Sequence, residues 1–364
     1  MTQGRKLRVG IVGTGMVGSI HARSARLAGA RLVGVSAATP ASGEEAAARL
    51  GAERAFADAR SLVESPELDV VHICTPNDLH LELAAAAIAA GKHVVCEKPL
   101  AISLADAREL QRAAVAAEVI ASVPFVYRFY PMVREARARV LDGELGRIGL
   151  IGGAYLQDWL LPQGSSDWRM DGERGGPSRA FADIGSHWCD LVEFAAGMRI
   201  AALSAQMRTF HPGRPTEDVA VVSFRTVEEA AGAVLVSQVS AGHKNDLNFE
   251  LTGERGTIRF EQQAPDSLLI GRQGSTTILE RERRHLRAEA SRFSTLPGGH
   301  PQGYHDCFEA FVADTYASIA AGSPVEGLPT FVDGVRSVAL TEAALQSAAA
   351  DGAWTEVEAL SSIQ

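Results

Sequence analysis

The chain has 364 residues, 46% hydrophobic and 22% charged, and 35 basic against 44 acidic side chains leave a formal net charge of −9. At about 150 residues per domain the length suggests two domains, and the apolar share is enough for two cores. The acidic balance argues against general binding to nucleic acid or to an anionic membrane, both of which need a basic face; a local basic cleft for an anionic cofactor stays compatible with it.

The four cysteines, Cys74, Cys96, Cys189 and Cys307, are far apart and form no CxxC pair. Three lie in apolar runs, the pattern of free buried thiols in a reducing compartment. The start, residues 1–7, is polar and leads into a strand, and no apolar run nears 18 residues. Neither a signal peptide nor a transmembrane helix is expected, and the cytoplasm is the expected location.

Residues 7–12, 31–35, 69–74, 93–96 and 119–123 read as short apolar strands. Alanine-rich helical stretches, 17–28, 44–50, 79–90 and 104–117, fall between them. Ser103 is the expected N-cap of the last, with Asp106 at the capping-box position. Such alternation predicts an α/β, doubly wound parallel sheet over residues 1–123.

After Pro124 the rhythm changes. A helix over 132–141 leads to a long strand, 148–156, then a loop rich in Trp, Asp and Gly. Another helix covers 183–196, followed by strands near 201–209, 218–224, 231–238, 248–252, 256–260 and 268–270. This predicts an α+β second domain, residues 124–364, built on an antiparallel meander with helices on one face and the other face open to a second subunit. Residues 279–292 are highly charged and read as a solvated loop or lid. Helices over 302–321 and 331–350 close the chain.

Gly13-Thr14-Gly15-Met16-Val17-Gly18 matches GxGxxG, directly after the apolar strand Val9-Gly10-Ile11-Val12 and at the start of a helix. In that context the first glycine makes the tight turn, the second lets a pyrophosphate reach the backbone, and the third packs helix on strand. The helix N-terminus adds N–H groups and the positive end of its dipole. The second strand normally ends in an acid that binds the adenine ribose, but here Ser36-Ala37-Ala38-Thr39 stands in its place. Ser36 and Thr39 can hydrogen-bond a ribose, whereas a 2′-phosphate would lack a charged partner. NAD is therefore expected ahead of NADP.

The run Val94-Val95-Cys96-Glu97-Lys98-Pro99 ends a strand in an acid, a lysine and a proline. In open parallel sheets ligands bind outside the carboxyl ends of the strands, where Lys98 is delivered. Taken alone, the run is as readily an ordinary strand end with a solvated lysine. In the second half, Asp183 and His187 are spaced i, i+4, one face of a helix. A histidine there can move a proton near neutrality, oriented by a carboxylate. Alone, this spacing is more often helix capping or surface pairing, and no third metal ligand stands at a characteristic spacing.

Together, the strand–GxGxxG–helix, Glu97-Lys98-Pro99, the loop Thr75-Pro76-Asn77-x-x-His80 and Asp183-x-Gly-x-His187-x-x-Asp190 resemble the Gfo/Idh/MocA oxidoreductases, over nearly the whole chain. The resemblance implies a Rossmann domain followed by an open-faced, mainly antiparallel sheet that often mediates dimers or tetramers. It implies that Lys98 lies beside nicotinamide and substrate, that His187 transfers the proton, and that Asp183 orients the substrate. It also places Thr75, Pro76, Asn77, His80 and Glu97 with the cofactor residues.

Tyr155-Leu156-Gln157-Asp158-Trp159 and Asp167-Trp168-Arg169 interrupt an otherwise aliphatic stretch. Aromatic faces pack on sugar C–H surfaces, and Gln157, Asp158 and Arg169 can bond vicinal hydroxyls; core packing serves the tryptophans equally well. Tyr127, Trp168 and His305, with Gly299-His300-Pro301-Gln302-Gly303-Tyr304 before it, complete the substrate set. These runs resemble the pyranoside branch of the family, whose members oxidise sugars at C3. Three functions are compatible: a sugar or cyclic-polyol dehydrogenase, inositol included; an NAD-dependent glycosidase or lyase that oxidises transiently; and a catalytically silent dinucleotide-binding regulator.

Overall fold

The structure is a computed structural model that describes residues 5–164 and 167–359; residues 1–4 of the polar start lie outside them. Contacts divide the chain into two units, Met1–Val126 with His305–Val335, and Tyr127–Tyr304 with Arg336–Gln364. A single cut at 123/124 therefore misses a return of the chain to the first unit.

In the first unit, β1 (Arg8–Val12), β2 (Arg31–Ser36), β3 (Arg54–Ala55), β4 (Val70–Ile73), β5 (His93–Cys96) and β6 (Ala121–Ser122) form one sheet in the order β3-β2-β1-β4-β5-β6. All five pairings are parallel. The order is that of a dinucleotide-binding doubly wound sheet. β1 and β4 are almost wholly buried, as strands covered on both faces are, with His72 the one polar side chain inside β4. The crossovers are α1 (Met16–Leu27), α2 (Pro40–Leu50), α3 (Ala59–Val63), α4 (His80–Ala89) and α5 (Leu104–Ala116). Ser103 caps α5 by accepting the Asp106 N–H at 3.2 Å, as its sequence suggests.

The second unit holds α6 (Pro131–Leu141), β7 (Ile148–Leu156), α7 (Gly172–Gly175), α8 (Ser186–Ala196), β8 (Ile200–Arg208), β9 (Val219–Thr226), β10 (Ala231–Ser237), β11 (Asp246–Gly253), β12 (Gly256–Glu261), β13 (Ser267–Arg272), β14 (Ser275–Glu280) and α9 (Ala288–Ser291). After it α10 (Tyr304–Ala321) runs in the first unit, where Thr315 bonds Ser122 and the segment beyond the helix bridges β6 at Thr330. The chain then passes through α11 (Phe331–Ala349) and ends its described part with β15 (Thr355–Glu356).

The nine-stranded sheet has the order β14-β13-β12-β11-β7-β10-β9-β8-β15. It is mainly antiparallel, as expected, but not a plain meander: β7 pairs with β10 in parallel, Tyr155 opposite Val236. Strands β9 and β10 alternate buried and exposed residues, so one face is covered and the other open. The charged stretch 279–292, largely solvated as expected, is anchored at its start. It begins in edge strand β14 and then buries Arg281, which bonds Asp266, Ser294 and the carbonyls of Leu296 and His300.

Candidate active site and cofactor cradle

The glycine loop leaves β1 at Gly13, whose φ of +87° suits glycine and whose N–H donates to the Ser36 carbonyl at 2.9 Å. A Cβ on Gly13 would lie 2.4 Å from the Cys74 carbonyl oxygen, and one on Gly18 2.0 Å from the Gly13 oxygen. At Gly15 nothing lies within 4 Å. The first and third glycines thus seat the loop on the strand ends, and the second faces open space. α1 begins at Met16 with no side-chain cap and no acid in its first turn, so the N–H groups at Met16 and Val17 are left for an anion. Arg49, unmarked in the sequence, borders the loop from α2, donating to the Thr14 carbonyl and the Ser19 hydroxyl, each at 2.8 Å.

At the ends of β2 and β4, the buried hydroxyls of Ser36 and Thr75 have no hydrogen-bond partner among the described residues. Unpaired buried hydroxyls are costly, so these two fit a hydroxyl-rich ligand. Thr39 does not join them. Its side chain accepts the Ser42 N–H and Ser42 reciprocates, a capping box with Pro40 at N1 of α2. The Thr39 hydroxyl, expected at the ribose, is engaged in this cap.

At the end of β5, Glu97 Oε1 lies 2.9 Å from His21 Nε2, and Glu97 Oε2 accepts the Lys98 N–H at 3.2 Å. Burial pushes the Glu97 carboxyl up, but the hydrogen bond from His21 and the nearby positive charge of Lys98 outweigh it and hold the group below the usual range. Glu97, expected among the cofactor contacts, is committed to anchoring the strand end from within. His80 is likewise a fastener. Its ring lies 2.9 Å from the Pro99 carbonyl and 3.1 Å from that of Thr75, tying together the loops after β4 and β5. Burial lowers its pKa against the pull of the two carbonyls, and a neutral ring donates to one of them, a charged ring to both. Lys98 itself is half-buried, and Pro76 leads into a 3₁₀ turn, Asn77–Leu79, with Asn77 buried.

In the second unit, Asp183 sits in a π-helical turn, Phe181–Gly185, that runs directly into α8 and His187. The expected i, i+4 face of one α-helix is therefore replaced by a wider turn, a feature frequent at functional sites. The Asp183 carboxylate accepts from Gln238 Nε2 at 2.7 Å and faces Arg169 Nε at 3.9 Å. The His187 ring meets Tyr127 edge-on, centroids 5.0 Å apart.

From Tyr127 a connected polar set extends. Its hydroxyl lies 2.6 Å from that of Tyr155, and Tyr155 donates to Asn245 Oδ1 at 2.8 Å. Gln157 Nε2 reaches the same Asn245 oxygen at 2.8 Å, and Gln238 Nε2 reaches Gln157 Oε1 at 3.3 Å. Burial, with Tyr127 next to it, pushes the Tyr155 phenol well up, so it stays a neutral donor. Buried Arg179 holds Gln238 and pairs with Asp218. Tyr155 and Gln157 share a face because they are two apart on one strand. The parallel pairing of β7 and β10 then brings Gln238 to the same end. Gln238 and Asn245 escaped the sequence reading because an antiparallel meander does not place them there.

Other expected residues have partners of their own. Asp158 pairs with Lys244 at 2.8 Å and accepts the Gly242 N–H at 3.2 Å, so it closes a turn. Trp168 lies under the Arg169 guanidinium at 4.4 Å, and Arg169 also pairs with Asp167. Trp188 is fully buried and donates to the Asn248 carbonyl, which makes it core. His305 is exposed on the first turn of α10, in the first unit, and is not among the residues the second unit gathers. Among the described residues, no group of three or more His, Cys, Asp or Glu could hold a metal ion, and no helix is long and apolar enough to cross a membrane.

Residues 7–125 match the oxidoreductase family described as having an NAD-binding Rossmann fold, and residues 133–259 match the Gfo/Idh/MocA C-terminal domain. The chain belongs to the Gfo/Idh/MocA oxidoreductase family. It is 30% identical to a levoglucosan dehydrogenase of Pseudarthrobacter phenanthrenivorans over 98% of this chain and 100% of that one. An inositol 2-dehydrogenase of Rhizobium meliloti is 27% identical over 94% and 97% of the two chains. The structure of a levoglucosan dehydrogenase in complex with NADH and levoglucosan superposes with a TM-score of 0.91 at 29% identity, covering 97% of this chain and 100% of that one. The expected architecture, an α/β Rossmann domain joined to an α+β domain with an open-faced sheet, is the one observed.

The cofactor of the Gfo/Idh/MocA Rossmann domain is NAD, and the residues present suit it. The open space at Gly15, the uncapped start of α1 and the unpartnered hydroxyls of Ser36 and Thr75 match a ligand with both phosphates and ribose hydroxyls.

Proposed function

We propose that this chain is an NAD-dependent dehydrogenase acting on a ring secondary alcohol, C3, of a pyranose-type sugar, anhydrosugar or glycoside. The observation that supports this most is the connected set Tyr127, Tyr155, Gln157, Gln238 and Asn245 beside Asp183 and His187. Amides and phenols both donate and accept, as vicinal hydroxyls do. The cations that reach this set are themselves paired with acids: Arg169 is shared by Asp167 and Asp183, and Arg179, which bonds Gln238, pairs with Asp218.

NAD, when bound, takes up a hydride. The backbone N–H groups of Gly15, Met16 and Val17 would hold its pyrophosphate within the loop Gly13–Gly18, and Ser36 and Thr75 its hydroxyls. Lys98 stabilises negative charge developing on the substrate oxygen, His187 accepts the hydroxyl proton at a ring nitrogen, and Asp183 orients the sugar. Incubating the protein with NAD and a panel of cyclic sugars tests this: NADH should accumulate with a keto sugar, and absence of both across the panel would contradict it.

NAD should bind more tightly than NADP, because no cation follows Ser36-Ala37-Ala38 to meet a 2′-phosphate. Fluorescence titration of both dinucleotides checks this, and NADP binding about tenfold tighter would reverse it.

The open face of the large sheet carries Leu150, Val221, Leu235, Leu269 and Ile278, each more than a third exposed, with Val221 directly opposite Leu235. An apolar row of this kind suits a second copy of the chain, so we propose a homodimer or homotetramer through it. Leu235→Arg should shift the mass in light scattering towards monomer; an unchanged mass would place the interface elsewhere. The free cysteines favour a reducing, cytoplasmic compartment.

A further inference from the structure

The first unit contains a buried chain of four side chains that the chemistry above does not use. Tyr316 OH lies 2.9 Å from His72 Nε2, His72 Nδ1 lies 2.8 Å from His21 Nδ1, and His21 Nε2 lies 2.9 Å from Glu97 Oε1. The two histidines are fully buried. They come from α1 and β4, and Tyr316, 244 residues beyond His72, comes from α10. The far oxygen of Glu97 holds the backbone N–H of Lys98.

Only a few proton placements fit this geometry. A carboxylate accepts and does not donate, so His21 Nε2 carries a proton. If His21 is neutral, its Nδ1 is bare and must accept from His72 Nδ1–H. His72 Nε2 is then bare and accepts from the Tyr316 hydroxyl. Every donor has an acceptor, and all three hydrogen bonds point at Glu97. The reverse order needs a charged His21, with His72 donating to Tyr316. The phenolic hydrogen would then lack an acceptor, since His72 is the sole hydrogen-bond partner of Tyr316 among the described residues. Burial pushes His72 well below the usual histidine range and Tyr316 well above the usual phenol range, which favours a neutral His72 and an intact hydroxyl.

We propose that Tyr316, His72 and His21 are positioning residues for Lys98. They present one directed line of protons that keeps Glu97 ionised and clamped to the Lys98 backbone. The inference rests on the role proposed above for Lys98. Besides His21 and Lys98, the titratable groups around Glu97 are Cys74 on the β4 side, Cys96 on β5 and His80 on α4. The two thiols are held protonated by burial, so they supply no charge of their own. With His21 removed, the carboxyl keeps burial and loses its strongest donor, so its pKa rises. Function then fails at a higher pH as the solution is acidified.

The test joins spectroscopy to kinetics on the full chain. Nitrogen-15 NMR of histidine-labelled protein, with rings assigned through His21→Phe and His72→Phe, should show His72 protonated on Nδ1 and His21 on Nε2. Both should be neutral around pH 7, and Tyr316→Phe should move the His72 Nε2 signal. A charged His21, or a proton on His72 Nε2, overturns the proposal.

In turnover, His21→Phe should lose roughly tenfold or more in kcat, with NAD affinity retained. Its acid limb in kcat/KM should rise by about one to two pH units. His21→Gln keeps an Nε2–H donor towards Glu97 and should restore the limb. An unmoved limb, or equal losses in both variants, contradicts the proposal. If His21→Phe does not fold, the His72 and Tyr316 variants still read the proton order. Lys98→Ala with undiminished turnover would remove the role of Lys98, whereas the NMR result, which needs no turnover, judges the relay by itself.

Discussion

Replacing His187 or Lys98 by alanine should lower turnover by roughly 10²–10⁴-fold, the usual contribution of a positioned acid–base group, with NAD affinity nearly unchanged. The proposed cofactor cradle is Gly13–Gly18 with Ser36 and Thr75, and neither substitution alters any of these residues. His187 is a buried ring packed edge-on against Tyr127, and as the proposed proton acceptor its loss should leave the hydroxyl proton no ordered route out. Stopped-flow and steady-state rates, set beside dinucleotide titration, separate the two effects. Near-normal turnover of His187→Ala at every pH would remove it from the chemistry. A matching loss in NAD affinity would point to damage of the fold.

The second large effect is expected on the substrate side. Gln157, Gln238 and Asn245 are linked to one another and to Asp183 through donors and acceptors that a sugar's hydroxyls can replace or extend. A site built to bond hydroxyls rejects an analogue lacking one by as much as roughly 10⁴–10⁵, because buried polar groups are left unpaired. Deoxy sugars that lack a contacted hydroxyl should therefore lose far more kcat/KM than sugars altered at a solvent-facing carbon. Acyclic polyols should bind worse, since they must freeze torsions that a ring fixes in advance. A clear preference for inositols or for acyclic polyols would move the substrate to another branch of the family and leave the Lys98 and His187 chemistry in place.

Much of the first unit was legible because its signals are local. An apolar strand, GxGxxG and a helix follow one another without a gap, and only glycine survives at two of the three positions. β3 has two residues and α3 five, too short to show a period, so both were missed. Thr39-Pro40-Ala41-Ser42 carried a readable capping box, yet its hydroxyl was assigned to ribose; the local bond to a helix end prevailed. In the second unit the alternation of the strands was visible, but the insertion of β7 between β10 and β11 was not, and with it went Gln238 and Asn245. The π-helical turn at Asp183 leaves no mark in residue spacing. The line from Tyr316 to Glu97 joins residues from four distant segments, so no window along the sequence contains it.

The central claim is net oxidation of a cyclic secondary alcohol by NAD. Following NADH absorbance while product is identified by carbon-13 NMR, with purified protein and levoglucosan, simple pyranoses and inositols, tests it most directly. One NADH should form for each keto sugar, with the new carbonyl at C3 of a pyranose ring. Sugar consumed or rearranged with no net NADH would contradict it, and would show the chain to oxidise only transiently, as a glycosidase or lyase that keeps its cofactor.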